Sequence, residues 1–344
     1  MKTWEEKISG KDLRPTAAQK GRRLFLECFD NLNLPNIKQD KFLNLVLFLL
    51  SKLPHAERSK VRHLVSRLYP TPILEDGAED LEIFIFTSEK DLKVLELSIL
   101  GAIESSKNKL NLLTVVAPSS VEEYIQAVFL RIQKGTTLKF VSDESLLAKY
   151  SLGSFQFIRP NIKMEILKVL AVLSCNCDAA LVIDGDTVLL NERVWINKDK
   201  QIVLVAQEYT PAHIEFDKRY LSNYESKGLG FVTHHQVIRR SHLEELISEK
   251  NGLIDFVGFF NAAATDFYLL SGREFPSEWQ LFGDYLVNRH PNKVALASFR
   301  NLGMSRNNVS YFSEDHVGSA SAELARLKEV VPTLASLSFH GYKD

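Results

Sequence analysis

The sequence of 344 residues has few cysteines and no long hydrophobic run. Its three cysteines, Cys28, Cys175 and Cys177, are too few for a disulfide framework and fit a reducing compartment. The most apolar run, Phe42 to Leu50, is well short of the roughly 20 residues that a membrane span needs. No apolar segment typical of a signal peptide follows the first methionine. We therefore expect a cytoplasmic protein.

The chain also lacks a strong net charge and the usual phosphate-binding glycine motifs. A formal net charge of −1 gives no global reason to expect binding to nucleic acid. The residues after the first predicted strand, 87–90, do not match G-x-G-x-x-G, and no Walker sequence occurs. These absences argue against a dinucleotide-dependent oxidoreductase and a P-loop NTPase. The cysteine pair Cys175 and Cys177 has no second pair to complete a metal site, so two semi-buried structural thiols are the simpler interpretation.

Residues 1–79 are predicted to form a helical segment followed by a linker. Between Arg14 and Leu74, 11 basic and 4 acidic residues give a net charge of +7. This charge is typical of contact with an anionic membrane surface or an anionic glycan acceptor. A solvated helical face has the same composition, and the sequence does not decide between these alternatives.

From residue 80 to residue 344, predicted strands alternate with predicted helices before a helix-rich tail. Strands are predicted at 81–87, 110–116, 137–141, 179–183 and 201–206, with helices at 89–105 and 161–175. This alternation is typical of an α/β domain with a mostly parallel sheet flanked by helices.

The most informative stretch is an apolar strand that ends in Asp184-Gly185-Asp186. Residues two apart on a strand point to the same side, and Gly185 allows a tight bend between the acids. The carboxyl edge of such a sheet is where α/β folds bind ligands. Two close carboxylates repel each other, so Mg²⁺ or Mn²⁺ is a natural partner. A simple Asp-Gly turn of a β-hairpin is the alternative.

Three other positions offer side chains for chemistry. His234 and His235 are adjacent, so they point in different directions and at most one is expected to face a site. Ser277 is predicted to cap a helix, which places Glu278 in its first turn at the positive end of the helix dipole. His340 lies near the end of the sequence. Each has a simpler interpretation. One of the adjacent histidines would be a hydrogen-bonded residue of a pocket wall, Glu278 an ordinary acid at a helix N-terminus, and His340 a solvent-exposed residue.

The order of these motifs is similar to that in a family of uncharacterised bacterial glycosyltransferase-like proteins. Its members look like nucleotide-sugar glycosyltransferases of the GT-A fold, which is Rossmann-like, and carry Asp-Ser-Asp, Thr-His-His and Ser-Glu-Tyr-x-x-Tyr-Gly. The resemblance covers roughly residues 80–344 and its motifs are moderately specific. This chain has Gly185 in place of the serine, and Trp279 and Phe282 in place of the tyrosines. The change at Phe282 removes a hydroxyl that would touch substrate.

The resemblance implies a metal-dependent transfer of a sugar from a UDP- or GDP-type donor to a glycan or other hydroxyl acceptor, in bacterial surface polysaccharide synthesis. Asp186, Asp184 and His340 would hold Mn²⁺ or Mg²⁺, with Asp184 at the ribose or the water shell of the metal. Glu278 would deprotonate the acceptor hydroxyl if the reaction inverts configuration. The nucleotide and its phosphates would contact Phe86, Thr87, Ser88, Arg159, Lys163, Asp184, His234 and His235.

Two other function classes stay open. Asp184-Gly185-Asp186-Thr187-Val188 also matches the nucleophile loop of haloacid-dehalogenase-type phosphatases, in which Asp184 would attack phosphorus and Asp186 would shuttle the proton. That loop normally follows the first strand, whereas three strand-helix units precede it here. A non-catalytic binding protein with the same fold is the third class. The sequence leaves the donor, the acceptor, attachment to the inner face of a membrane and homo-oligomer formation undecided.

Overall fold

The computed structural model describes residue 74 and residues 79–132, 135–206, 210–271, 276–306, 309–312, 318–332 and 334–340. The predicted helical segment 1–79 therefore lies almost entirely outside the described residues, and its boundary with the α/β region stays a prediction. Within the described ranges, no helix combines the length and the apolar character that crossing a membrane requires.

Strands and helices alternate along the first half of the described chain. The elements are β1 (Asp80–Phe86), α1 (Leu92–Ser105), β2 (Lys109–Ala117), α2 (Glu122–Arg131), β3 (Leu138–Ser142), α3 (Asp143–Lys149), α4 (Pro160–Ser174), β4 (Ala179–Asp184), β5 (Thr187–Leu189), β6 (Gln201–Val205), α5 (Pro211–Tyr220), β7 (His235–Arg239), α6 (Arg240–Ser248), α7 (Leu253–Ser271), α8 (Glu278–Arg289), β8 (Val294–Ser298), β9 (Asn301–Ser305), α9 (Ala320–Val330) and β10 (Ser336–His340).

The central sheet has the strand order β3-β2-β1-β4-β7. Its first four strands are parallel, and β7 pairs antiparallel with β4. A three-stranded sheet of order β5-β10-β9 and a parallel pair of β6 and β8 complete the described strands. The predicted α/β class, with a mostly parallel sheet flanked by helices, is confirmed.

Strand β4 is apolar from Ala179 to Ile183, as expected for a strand with both faces buried. Ala180 and Val182 belong to the hydrophobic cluster that includes the apolar residues of α4. Leu181 and Ile183 belong to the cluster on the other face, which includes those of α1. Complete burial of a side chain such as leucine or isoleucine contributes about 1.5–3 kcal/mol. The apolar run therefore fixes β4 in the middle of the sheet and leaves its acidic end at the carboxyl edge.

The chain leaves the central sheet immediately after β4. Strand β5 pairs with β10 rather than with β4, so the hairpin alternative for the Asp-Gly sequence is wrong. The register places Thr187 opposite Ser338, and the hydroxyl oxygens of these two side chains are 3.0 Å apart. This pairing brings the end of β10, with His340, next to the end of β4.

Candidate active site

The site is built where the end of β4 meets three other segments at the carboxyl edge of the central sheet. Asp184 pairs with Phe86 of β1 in the sheet register. The backbone N–H of Asp184 donates to the carbonyl oxygen of His234 at 2.9 Å. The backbone N–H of Phe339 donates to the carbonyl oxygen of Asp186 at 2.7 Å. Main-chain hydrogen bonds thus hold both aspartates against the ends of neighbouring strands.

Gly185 allows the two aspartates to lie this close to β1. Its backbone N–H donates to the carbonyl oxygen of Phe86 at 2.6 Å. A Cβ atom on Gly185 would lie 2.6 Å from that carbonyl oxygen and 2.7 Å from the Cβ of Thr87. The serine that the resembling family carries at this position would meet the same atoms, so the departure from its motif matches the local packing of this chain.

We expect Gly185→Ala to lower the free energy of unfolding by about 1–3 kcal/mol, the usual cost of overpacking a filled site. Gly153→Ala is the matched control, because a Cβ there would lie 3.7 Å from its nearest neighbour, an atom of Ala148. Urea unfolding of both variants measures the difference. Equal stability of Gly185→Ala and the wild type would contradict the close approach of Gly185 to β1.

A buried lysine connects the first aspartate to the predicted helix acid. Lys168 lies within α4 and is 5% exposed. Its Nζ is 3.0 Å from Oδ1 of Asp184 and 2.9 Å from Oε1 of Glu278, and it lies 4.9 Å from the ring centre of Trp279. Burial lowers the pKa of Lys168, but the charges of Asp184 and Glu165 outweigh it and raise the pKa overall. The ammonium group therefore stays charged between two carboxylates.

Asp184 is held in its ionised form by two basic neighbours. Burial alone would raise its pKa, but the charge of Lys168 and the hydrogen bond to His234 hold the pKa well below its ordinary value. Nδ1 of His234 is 3.2 Å from Oδ2 of Asp184. Burial lowers the pKa of His234, yet its contact with Asp184 raises the pKa overall. Asp184 thus lies between the ammonium group of Lys168 and an imidazole whose pKa is raised toward the charged form.

The second aspartate faces the histidine of β10. Nδ1 of His340 is 3.1 Å from Oδ2 of Asp186, and the hydroxyl of Thr187 donates to Oδ1 of Asp186 at 3.3 Å. Gly303 on β9 leaves room for the imidazole, since a Cβ there would lie 3.0 Å from Nε2 of His340. The rings of His340 and His234 are 5.4 Å apart. Both histidines therefore face the same small volume as the two aspartates.

The donor set at Asp186 and His340 fits a divalent cation. Carboxylate oxygen is the ligand type that Mn²⁺ and Mg²⁺ prefer, and an imidazole nitrogen suits the softer Mn²⁺ better than Mg²⁺. The oxygens of Asp184 are already engaged by its basic neighbours. Among the described residues, the three donor groups of Asp184, Asp186 and His340 do not all lie within 4.8 Å of one another. Asp186 and His340 are therefore the pair of side chains that could bind a cation directly, and Asp184 lies beside them.

Ser277 and Glu278 form the start of α8 as predicted. The hydroxyl of Ser277 accepts a hydrogen bond from the backbone N–H of Gln280 at 3.5 Å, which confirms the predicted cap. Glu278 is 4% exposed and pairs with Lys168. Glu165 lies one turn before Lys168 on α4, and burial raises the pKa of its carboxyl to about 7. Glu278 of α8 thus contacts Lys168 directly, whereas Glu165 of α4 acts on the pKa of Lys168 through its charge.

His235 lies away from this cluster. Its side chain is fully buried, with its ring 5.5 Å from the ring of Trp195 and 5.5 Å from that of Phe299. Burial holds the pKa of His235 well below its ordinary value, so its ring is neutral. Of the two adjacent histidines, His234 contacts Asp184. His235, which was also expected to contact the nucleotide, packs against Trp195 and Phe299 in the interior instead.

The loop after β1 is fixed to β10 by an arginine that the motifs do not include. The side chain of Phe86 is buried in the core, and Thr87 is buried directly after it. The hydroxyl of Ser88 donates to Asp91 at 2.9 Å. Arg306 forms an ion pair with Asp91 and donates from Nε to the carbonyl oxygen of Phe339 at 2.7 Å.

The remaining predicted residues lie at the start of α4. Arg159 precedes the helix, and Nζ of Lys163 pairs with Oδ2 of Asp143 at 2.5 Å. The structure therefore brings together Asp184, Asp186, His234, Glu278 and His340, and it directs Lys163 to a different acid. Sequence reasoning missed Lys168, Glu165 and Arg306. The signal for Lys168 was present, since it is the lone charge in the apolar run 166–174.

Comparison with solved structures finds glycosyltransferases. Mouse xyloside xylosyltransferase 1 in its apo form matches with a TM-score of 0.43 and 10% identity, over 75% of this chain and 97% of its own. The bifunctional glycosyltransferase WbbM matches with a TM-score of 0.43 and 12% identity, over 80% of this chain and 48% of its own. The galactosyltransferase LgtC with donor and acceptor sugar analogues matches with a TM-score of 0.41 and 13% identity, over 76% of this chain and 87% of its own.

No family model matches the chain, and no curated protein matches it in sequence.

Proposed function

We propose that the chain is a metal-dependent glycosyltransferase that moves a sugar from a nucleotide-sugar donor to a hydroxyl acceptor. The observation that supports it is the convergence of charged side chains from five separate segments at one sheet edge: Asp184 and Asp186, His234, His340, Lys168 and Glu278. A nucleotide sugar leaves as a diphosphate, whose negative charge must be stabilised in the transition state. The order of the three sequence motifs supports the same reaction class.

Asp186 and His340 would hold Mn²⁺ or Mg²⁺, and the bound cation would neutralise the charge of the diphosphate. Asp184, whose ionised state is fixed by Lys168 and His234, would contact the ribose or the water shell of the cation. His234 would present its positive charge to the diphosphate. The end of β1, with Thr87 and Ser88 and the main chain of Phe86, would line the nucleotide, while Arg159, just before α4, would contact its phosphates. Lys163, predicted beside Arg159, is paired with Asp143 instead.

Glu278 is our candidate for the group that deprotonates the acceptor hydroxyl if the reaction inverts configuration. Its Oε1 is committed to Lys168 at 2.9 Å, so the proton acceptor would be Oε2. The hydroxyl of Ser277 donates to that oxygen at a long distance of 3.5 Å. A UDP- or GDP-type donor, a glycan acceptor and a role in bacterial surface polysaccharide synthesis are part of the same proposal. They rest on the resemblance alone.

A thermal-shift screen tests the proposed donor class. UDP, GDP, CMP and dTDP are each added with and without Mn²⁺ to the wild type, to Asp186→Asn and to the exposed control Asp199→Asn. We expect one nucleotide to raise the Tm by a few degrees only when Mn²⁺ is present, since ligand at about 100 times its Kd adds about 2.7 kcal/mol. The rise should be lost in Asp186→Asn and kept in Asp199→Asn. Absence of a shift with every nucleotide would contradict the proposal.

The phosphatase alternative requires Asp184 to act as a nucleophile. Its Oδ1 is paired with Lys168 and its Oδ2 with His234, so neither oxygen is left without a basic partner. We therefore expect no release of phosphate from p-nitrophenyl phosphate. Release that depends on Asp184 would replace the transferase proposal with the phosphatase.

A further inference from the structure

Three metal-ligand side chains meet at the edge of the central sheet opposite to Asp184. Glu82 lies near the start of β1, and Cys175 and Cys177 lie in the loop between α4 and β4. The two sulfur atoms are 3.5 Å apart. One carboxylate oxygen of Glu82 and the two sulfur atoms all lie within 4.8 Å of one another. The sequence showed only the cysteine pair, and the fold supplies the third donor.

The carboxylate of Glu82 is buried without a cationic partner in the described part of the chain. It is 3% exposed, and the hydrogen bonds that it accepts come from the backbone N–H and the side-chain amide of Asn176, at 3.0 and 2.9 Å, both to Oε1. Arg240 approaches this loop but donates to the carbonyl oxygen of Cys175 at 2.8 Å. A buried carboxylate without a compensating charge is costly, and a cation would remove that cost.

The spacing of the sulfur atoms suits a shared metal. In tetrahedral zinc sites the Zn–S bond is about 2.3 Å, which separates two sulfur ligands by about 3.8 Å. A disulfide would need the sulfurs at about 2.05 Å. Both sulfurs lie near the carbonyl oxygen of Ala179, Cys175 at 3.5 Å and Cys177 at 3.2 Å. Cys177 is only half-buried, so an ion from solvent can reach it.

We propose that Glu82, Cys175 and Cys177 form a binding site for a thiophilic divalent cation of the Zn²⁺ type, with a fourth position open to water. Binding releases the two thiol protons to solvent and leaves two thiolates and one carboxylate on the metal. Asn176 orients Glu82 through its two hydrogen bonds, as residues that hydrogen-bond to the ligands do at metal sites. The ion ties the start of β1 to the loop before β4. Formation of the site does not depend on the proposed transferase activity.

The test uses the full chain, reduced and freed of metal. Zn²⁺ is titrated in competition with a chromophoric chelator, and Cd²⁺ binding is followed by its thiolate charge-transfer absorbance. We expect one equivalent to bind to the wild type. Cys175→Ser and Cys177→Ser should lose stoichiometric binding, and Glu82→Gln should weaken it at least about tenfold. Cys28→Ser is the matched control and should bind as the wild type does.

Further measurements separate loss of the metal site from loss of the fold and from failure of the proposed active site. The Tm of each metal-free variant shows whether it folds, and Glu82→Gln, which keeps both thiols, reports on the site if a serine variant does not fold. Asp186→Asn should bind Zn²⁺ normally, so failure here is distinguishable from failure of the proposed active site. No binding by the wild type, formation of a Cys175–Cys177 disulfide in place of binding, or unchanged affinity in Glu82→Gln would each overturn the proposal.

Discussion

Lys168→Met is expected to destabilise the fold by about 3–5 kcal/mol, because removing one partner leaves buried charges without compensation. Lys168 is the cation between Asp184 and Glu278, and its side chain is 6% exposed. Methionine keeps the length and the apolar stem of the side chain but not the charge. The two carboxylates would then face each other across the gap that the ammonium group had filled.

The same substitution is expected to lower kcat by about 10²-fold or more, the effect of removing one preorganised charge from an active site. Urea unfolding measures the loss of stability, and transfer assays with the donor class found by thermal shift measure kcat. Lys107→Met is the control, since its ion pair with Glu192 is exposed. Lys168→Met/Glu278→Gln should recover part of the stability but not the activity. Wild-type stability of Lys168→Met would contradict the role of the lysine as a buried counter-ion.

The sequence predicted the parts of the fold that local patterns control. The continuous apolar run of β4 identified a strand buried on both faces, and the structure places Asp184 at its end. The alternation of strands and helices predicted the parallel sheet. The cap of α8 followed from Ser277 alone, because a capping hydrogen bond joins residues three apart.

The contacts between distant segments could not be predicted in this way. Lys168 stands out as a charge within an apolar stretch of α4, but its partner Glu278 lies on a helix that follows only after β7 and two further helices. His340 reaches Asp186 because β10 pairs with β5, a pairing that no spacing in the sequence reveals. Glu82 likewise meets the cysteines only because β1 and β4 are neighbours. Local patterns thus specify the elements, while the sites depend on which strands lie side by side.

A second buried group of charges lies between α5 and α8, away from the candidate active site. Asp217 and Asp284 are fully buried, and their carboxyl groups are neighbours. Asp284 accepts hydrogen bonds from the hydroxyl of Tyr224 at 3.0 Å and from the amide of Gln280 at 2.8 Å. Within the described ranges, Asp217 receives no hydrogen bond from an N–H or hydroxyl donor. A proton shared between the two carboxyl groups would supply a hydrogen bond that Asp217 otherwise lacks.

This pair makes stability depend on pH. Burial raises the pKa of Asp217 well above its ordinary value, and the charge of Asp284 raises it further. Burial also raises the pKa of Asp284, although its hydrogen bonds with Asp217, Gln280 and Tyr224 offset part of the effect. In the unfolded chain both carboxyl groups have a pKa of about 3.9. Above that pH the folded protein binds more protons than the unfolded chain, so the free energy of unfolding falls as the pH rises through the folded-state pKa values.

Asp217→Asn is expected to remove most of this fall. The amide has nearly the shape of the acid, carries no charge and donates a hydrogen bond to Asp284, so the variant should gain on the order of 3 kcal/mol over the wild type near pH 9. Urea unfolding between about pH 5 and pH 9 measures the two curves. They should converge toward the acidic end, where Asp217 of the wild type is protonated. Asp199→Asn, an exposed aspartate, should follow the wild-type curve. A constant offset between wild type and Asp217→Asn across this range would show that the two carboxyls do not share a proton, and that their burial is compensated in another way.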